Sequence, residues 1–433
     1  MTNSKDWLEP AFEAIAIDDD GRACADIPES ACKDEAGNFF AHVSALTLSK
    51  SGDALVDPKL VLSWLMTSLG APSALVGLLV PIREAGALLP QMFTAEKLRE
   101  LPQRKWAWSA GASVQGLAAL AIAFAALFLT GLQAGIAILA ALTVLSLARS
   151  VCSVCYKDVL GKTVDKSRRG RATGLASSLS AIAAIIFALV LYFGNFERFT
   201  VVVVALFVAG VAWIAGSLVF TSLSEEKGAT EGGANAFKSA MENLQYFKTE
   251  PQLRTFIMTR GLLTATAFAP PFMVALGTQG QEGSSSLGLL VFSSALSALL
   301  SSFIWGTLSD RSSRKVLIIA SIIGASALAA TVAASALGWM QGDFVLPVLL
   351  FVLMVSYQGV RLGRSTHLVD MATSETRAAF TALSNTAIGI VLLAGGVFSL
   401  IANFAGLEVT LTILAVMCAL AIWPALGLDE VQS

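Results

Sequence analysis

The chain has 433 residues, of which 55% are hydrophobic and only 14% charged, and its mean hydropathy is +0.71. Soluble domains carry roughly 25% charged residues, so composition excludes an ordinary water-soluble enzyme or nucleic-acid-binding module and points to a polytopic membrane protein. The net charge of -2 averages basic turns with an acidic tail and selects no partner.

Residues 1–38 read as an acidic, mostly disordered cytoplasmic tail. Asp18, Asp19 and Asp20 follow one another, Pro10 and Pro28 interrupt, and apolar residues gather only between Trp7 and Ile17. The tail has no apolar core of the kind a cleavable signal peptide needs. Cys24 and Cys32 have no neighbouring His and read as free thiols. Spanning a hydrocarbon core of about 30 Å takes roughly 20 helical residues. Runs of that length fall near 41–69, 72–95, 106–130, 133–156, 171–194 and 199–222. A second six fall near 252–276, 285–308, 315–338, 345–366, 376–402 and 407–427. The expected fold is therefore all-α, with twelve transmembrane helices in two six-helix bundles, 39–223 and 251–427. Residues 224–250 read as a cytoplasmic linker, in which Phe237, Met241, Leu244 and Phe247 have the spacing of a surface amphipathic helix. Residues 428–433 form a cytoplasmic C-terminal tail.

Charge alternates along the turns. Those after even-numbered helices hold Lys97, Arg104 and Lys105, then Lys162, Arg168 and Arg169, then Arg314 and Lys315, whereas those after odd-numbered helices hold almost none, Arg198 excepted. Basic turns stay in the cytoplasm, so both termini are expected there, in a multi-pass protein of the cell (inner) membrane.

The turn between helices 8 and 9 reads Gly306-Thr-Leu-Ser-Asp310-Arg-Ser-Ser-Arg314-Lys315, between the apolar runs Leu287 to Ile304 and Val316 to Leu337. Gly306 has no side chain to keep a neighbouring helix end away. Asp310 stands beside Arg311, Arg314 and Lys315, a cluster that can hold helix ends by charge-assisted hydrogen bonds. By its residues alone the loop is equally a solvated basic turn that only sets orientation. It resembles the G-x-L-x-D-R-x-x-R-[RK] loop of the major facilitator superfamily of secondary transporters, which joins the second and third helices of each six-helix half. The halves also repeat. At an offset of 210, Leu98, Glu100, Arg104 and Lys105 lie under Leu308, Asp310, Arg314 and Lys315. At an offset of 208, Leu160, Arg169, Thr173 and Leu175 lie under Leu368, Arg377, Thr381 and Leu383. The first copy of the loop departs from the pattern, with Glu96 for Gly, Leu101 for Arg, and Pro102. The resemblance implies two bundles rocking about a central site. It also implies a cytoplasmic gate built from Glu100, Arg104, Arg169, Gly306, Asp310, Arg311, Arg314 and Arg377.

Helix 1 carries Lys50, Asp53, Asp57 and Lys59 at bilayer depth. Lys50, Asp53 and Asp57, spaced i, i+3, i+7, share one face of a helix, and Pro58 should weaken it there. Ionisable groups inside a membrane mark substrate or proton paths; the alternative is a Lys–Asp pair that only ties helices together. Arg83 and Glu84 of helix 2 point about 100° apart and cannot serve one contact. Helix 4 adds Arg149, helix 10 adds Gln358, Arg361 and Arg364, and helix 7 adds Arg260 before an expected break at Pro270-Pro271. The proton-coupling candidates are thus Asp53, Asp57 and Glu84. The substrate-binding candidates are Lys50, Arg83, Arg149, Arg260 and Gln358, where Arg suits a carboxylate or phosphate. If the carboxylates neutralise these cations internally, a neutral substrate fits as well.

Cys152 and Cys155 read as packing thiols, and His42 and His367 as interfacial residues at helix ends. Gly174, Ala176, Ser177 and Ser178 of helix 5, and Gly395-Gly396, suit close helix packing. No phosphate-cradling loop, nucleophile–base pair or metal-ligand cluster stands out, so no enzyme activity, cofactor or metal is expected. The expected function is secondary active transport of a small solute, coupled to protons, by a monomer in the bilayer with no nucleic-acid partner. The alternative is a non-transporting protein of the same fold: an assembly factor, pigment-handling protein or sensor. The acidic tail and the altered first loop favour it.

Overall fold

The computed structural model describes residues 12, 33–91, 94, 97–98, 100–228, 245–278, 286–373 and 376–431. Among them the chain crosses twelve times. Span 1 comprises α1 (Glu35–Leu55) and α2 (Val61–Ser68). Span 2 comprises α3 (Ser73–Val76) and α4 (Leu79–Leu88). Spans 3 to 6 are α5 (Lys105–Phe128), α6 (Gly131–Thr163), α7 (Lys166–Phe193) and α8 (Arg198–Thr221). Span 7 comprises α9 (Pro251–Leu262) and α10 (Ala265–Thr278). Spans 8 to 10 are α11 (Ser286–Arg311), α12 (Ser313–Ala336) and α13 (Val345–Met371). Span 11 comprises α14 (Arg377–Ala394) and α15 (Val397–Ala405), and span 12 is α16 (Leu407–Leu426). Among the described residues, eight spans contain a helical run apolar and long enough to cross a bilayer, that of span 11 continuing through its interruption.

The breaks have local causes. Pro58 has no N–H to give, and α1 ends at Leu55, where the Val56 N–H closes on the Gly52 carbonyl (3.0 Å). The Asp57 carboxylate then accepts the backbone N–H groups of Lys59 (2.8 Å) and Leu60 (2.9 Å), so it caps the turn that leads into α2. Span 7 does not break at Pro270-Pro271, which lie inside α10. The interruption sits earlier, at Leu263 and Thr264. The carbonyls that Pro270 and Pro271 leave without a donor are those four residues back, Thr266 and Ala267, inside α10, so the prolines do not account for the interruption. There the Thr264 and Thr266 hydroxyls donate to the carbonyls of Gly261 (2.6 Å) and Leu263 (2.8 Å). Span 11 divides at Gly395 and Gly396; a Cβ on Gly395 would run into the Phe268 ring.

Helix packing repeats with the sequence. Span 3 packs on spans 4 and 6, span 1 on spans 5 and 6, and span 2 on span 4. Adding six to each number gives the second half: span 9 on 10 and 12, span 7 on 11 and 12, span 8 on 10. The halves join through spans 5 and 8 and through spans 2 and 11, which are each other's counterparts, and through α2 against α10. Leu62, Leu65 and Met66 of α2 and Phe268 and Met273 of α10 share one buried apolar core. Outside it, Leu117, Phe124, Val204, Val208 and Trp423 stand exposed. Such apolar rows are stable only against hydrocarbon; this is a multi-pass membrane protein.

Helix 1 begins at Glu35, inside the stretch expected to be tail. Glu35 is buried and accepts the Asp165 N–H (2.9 Å) and the Arg168 guanidinium (2.5 Å), which fixes that first turn to the start of span 5. The expected amphipathic helix at Phe237 to Phe247 lies outside the described residues except for its last positions, and Cys24 and Cys32 lie outside them altogether.

Candidate functional site

Two charge clusters sit at mid-depth. In the first, one carboxylate serves two arginines. Asp53 of α1 accepts Arg83 Nη2 of α4 on Oδ1 (2.6 Å) and Arg149 Nη2 of α6 on Oδ2 (2.7 Å). Arg149 also donates to Ser49 Oγ (3.2 Å), and Lys50 Nζ donates to Ser177 Oγ of α7. Charge-assisted bonds of this length are the strong ones, and here they tie spans 1, 2 and 4 at a single point. Asp57 does not join them. It lies beyond the end of α1, so the shared face stops at Asp53, and both of its capping bonds are local.

The second cluster lies where the halves meet. Lys59 pairs with Glu84 of its own half (3.6 Å) and places Nζ 3.7 Å from the ring centroid of Tyr357 in span 10. Glu84 lines a cavity with Arg260, Thr264, Tyr357, Arg361 and Arg364, walled by Leu88, Leu263 and Ile388. Arg260 is only 7% exposed; its partners are neutral, Ser384 Oγ (2.7 Å) and Asn385 Oδ1 (3.0 Å), and its Nε has none. Gln358 is half-buried beside Tyr357 and does not line the cavity. Arg83 and Glu84 thus serve different clusters, as their angular separation requires.

Packing between the halves is close on the side away from the termini. A Cβ on Gly77 would meet Phe272 and Ser399, one on Gly396 would meet Leu78 (3.0 Å), and one on Gly288 would meet the Tyr192 backbone (2.8 Å).

On the terminal side, the turn residues hold their own half together. Buried Arg104 donates to the Leu98 carbonyl (3.1 Å) and pairs with Asp158 (3.0 Å). Glu225, just past span 6, accepts the N–H groups of Arg104 (3.0 Å) and Lys105 (2.8 Å) and pairs with Lys162 (3.1 Å). Lys105 Nζ reaches the Thr221 and Leu223 carbonyls (3.1 and 2.6 Å) at the end of span 6. The second half repeats this: Arg314 reaches the Leu426 carbonyl at the end of span 12 (2.7 Å), and Ser312 donates to Glu430 (2.8 Å). Arg169 binds the carbonyls of Val164 (2.8 Å) and Gly161 (2.7 Å), while Glu100 and Arg311 are exposed. The side chains of Asp310 and Arg377 lie outside the described residues. Gly306 does not mediate a close approach here, since a Cβ would meet nothing within 4 Å. Nor does Gly174 in span 5.

His42 and His367 are fully buried rather than interfacial. His42 Nε2 pairs with Thr163 Oγ1 (2.8 Å) and His367 Nδ1 with Ser313 Oγ (2.9 Å), because the helices on which they sit run further toward the terminal side than hydropathy indicates. Cys152 packs under the Trp108 carbonyl and Gln115. Sequence reasoning passed over Glu35, Asp158, Glu225, Glu430 and Tyr357. Only Glu225 and Glu430 left a signal there, each following the last helix of its half.

No family model and no curated protein matches the sequence. Solved structures do. The chain superposes on the nucleoside transporter NupG, in a point-mutant form, with a TM-score of 0.71 at 12% identity, covering 89% of this chain and 99% of that one. A D-xylose-proton symporter gives 0.67 at 11% identity (91% and 98% covered). A POT family transporter in complex with 5-aminolevulinic acid gives 0.66 at 9% identity (90% and 94% covered). At these identities the likeness is one of fold, and the chain has the two-bundle fold of the major facilitator transporters.

Proposed function

We propose that this protein is a secondary active transporter that moves a small solute by alternating access and couples the movement to protons. The observation that carries the reading is Glu84: a carboxylate in a cavity between the halves, paired with Lys59 on its own side and facing Arg361 and Arg364 across the gap. Protonating it removes the attraction to cations of both halves at once. That gives the proton a lever on their separation, as a coupled switch requires. Asp53 is the second candidate, though both its arginines belong to one half. Asp57 is the least suited of the three, its carboxylate being engaged by the backbone. The solved structures named above are of transporters, one of them a D-xylose-proton symporter.

In this reading the described conformation is closed on the side away from the termini, and solute reaches the site from the terminal side. Basic turns put that side in the cytoplasm. The turn residues Arg104, Arg169 and Arg314 keep each bundle rigid while it rocks. The test is reconstitution into liposomes, with charge movement recorded on a solid-supported membrane against a panel of nucleosides, sugars and organic acids. At least one solute should give a current, and Glu84→Gln should lose pH-driven accumulation while keeping counterflow. A protein that moves no solute down any gradient is the non-transporting alternative.

A further inference from the structure

We infer that the cavity between the halves takes a small organic anion, its carboxylate or phosphate head held by Arg260, Arg361 and Arg364. This rests on the transport reading for its role but not for its chemistry.

The charges of the two halves are balanced differently. In the first half, Arg83 and Arg149 share the Asp53 carboxylate and Lys59 pairs with Glu84, so each of these cations has a carboxylate partner. Among the described residues no carboxylate forms an ion pair with Arg260, Arg361, Arg364 or Lys50. Three of these line the cavity, where the one carboxylate is Glu84, already engaged by Lys59. Tyr357, Arg361 and Arg364 are spaced i, i+4, i+7 and so form one stripe of α13. Arg260 of α9 faces that stripe across the cavity.

Arg260 carries the argument. It is 7% exposed, its two hydrogen-bond partners are neutral, its Nε is buried without a partner, and its charged neighbour is Arg364, of like sign. A buried charge without a counter-ion is strongly unfavourable. Three guanidiniums without an ion pair of their own, around one void whose single carboxylate is shared with Lys59, make sense where the ligand brings further negative charge. Guanidinium forks match the geometry of carboxylate and phosphate oxygens. A neutral sugar or nucleoside would leave the same cations unanswered, and a cationic solute would be repelled. Leu88, Leu263 and Ile388 give the cavity an apolar wall beside these cations; its volume here is about 30 Å³, so a carbon body behind the acid head enters only as the halves part.

The test is binding to the full chain in nanodiscs, at fixed pH and salt, by calorimetry and thermal shift. Four probes share one ring and differ in charge: phenylacetate, phenyl phosphate, phenylacetamide and phenethylamine. One or both anions should bind, and the amide and amine should not; which anion binds more tightly separates a carboxylate site from a phosphate site. Arg364→Gln and Arg361→Gln, at less buried positions and so tolerant of change, should each weaken anion binding about tenfold or more, the worth of a hydrogen bond to a charged group. Arg260→Lys keeps the charge, loses the fork and should weaken it less than Arg260→Gln. The inference is overturned if the amide or amine binds as tightly as the anions. It is equally overturned if no anion binds, or if both surface-side variants keep full affinity with an unchanged ligand-free melting temperature. Because binding is read without flux, a protein that binds anions yet moves none supports the inference and sinks the transport reading.

Discussion

Lys59 of span 1 stands 3.7 Å from the ring centroid of Tyr357 in span 10, and through that contact the first half of the protein touches the second at mid-depth. A cation over an aromatic face is worth about 0.5–2 kcal/mol, more where water is excluded. Lys59 is only 5% exposed, so the upper part of that range applies. Tyr357→Leu keeps bulk and removes the ring. It should shift the equilibrium between conformations by roughly five- to thirtyfold toward separated halves, about 1–2 kcal/mol. Pulsed dipolar distances between spin labels at Ala71 and Phe404, on the side away from the termini, check this; an unchanged distance distribution sinks it.

Asp53→Asn should destabilise the protein although the change is nearly isosteric. It leaves Arg83 and Arg149 without their shared counter-charge in a poorly solvated place. Breaking such a pair from one side costs up to about 3–5 kcal/mol, and partial exposure brings the expectation to the lower end. A lowered melting temperature in detergent is the readout. Adding Arg149→Gln should recover part of the loss, because one uncompensated cation is then gone.

Asp57 behaves as a cap, so its variants sort by hydrogen-bonding capacity rather than by charge. Asp57→Ala should cost about 1 kcal/mol, while Asp57→Asn and Asp57→Ser should be close to neutral in melting temperature. None should alter the pH dependence of uptake. A pH-driven uptake lost in Asp57→Asn, with the fold intact, would restore this residue to the proton path.

Glu225→Gln should loosen the start of span 3. The Glu225 side chain is fully buried and accepts two N–H groups of the α5 first turn as well as Lys162. Neutralising it leaves Lys162 without its counter-charge, with only the Gly228 carbonyl to bind (3.2 Å), and halves the capacity of the side chain to accept those N–H groups. Hydrogen exchange of the amides at 104–106 should quicken markedly while amides in the middle of α5 stay protected.

Gly306→Ala should leave stability unchanged or slightly raise it. The new methyl meets nothing within 4 Å, and in a helix Ala is favoured over Gly by up to about 1 kcal/mol. A large drop in melting temperature would mean that the terminal ends of the bundles pack more closely than the structure has them.

Most of the fold was legible from hydropathy, because bilayer thickness is a constraint along one dimension and the chain must satisfy it locally. The apolar runs near 106–130 and 199–222 differ from α5 and α8 by one or two residues at each end. Ends went wrong where a polar residue was secretly satisfied. Glu35 starts helix 1 early because Asp165 and Arg168 answer it from the start of span 5, and hydropathy scores Glu35 as solvent-facing. The break in span 7 was assigned to the prolines themselves and falls at Leu263 and Thr264, where threonine hydroxyls bind the carbonyls of Gly261 and Leu263.

The charged residues divide along the same line. That Lys50, Asp53, Glu84, Arg149 and Arg260 lie at membrane depth follows from counting residues between turns, since helical rise turns sequence distance into depth. Which charge answers which does not follow, for Coulomb attraction depends on a distance across helices that linear spacing does not encode. Folding brings Arg83 to Asp53 from 30 positions away, gives Asp57 to the backbone, and leaves Arg260 buried among neutral partners. Depth was thus written along the chain, while neutralisation, and with it the chemistry the cavity can accept, was settled only when the helices packed.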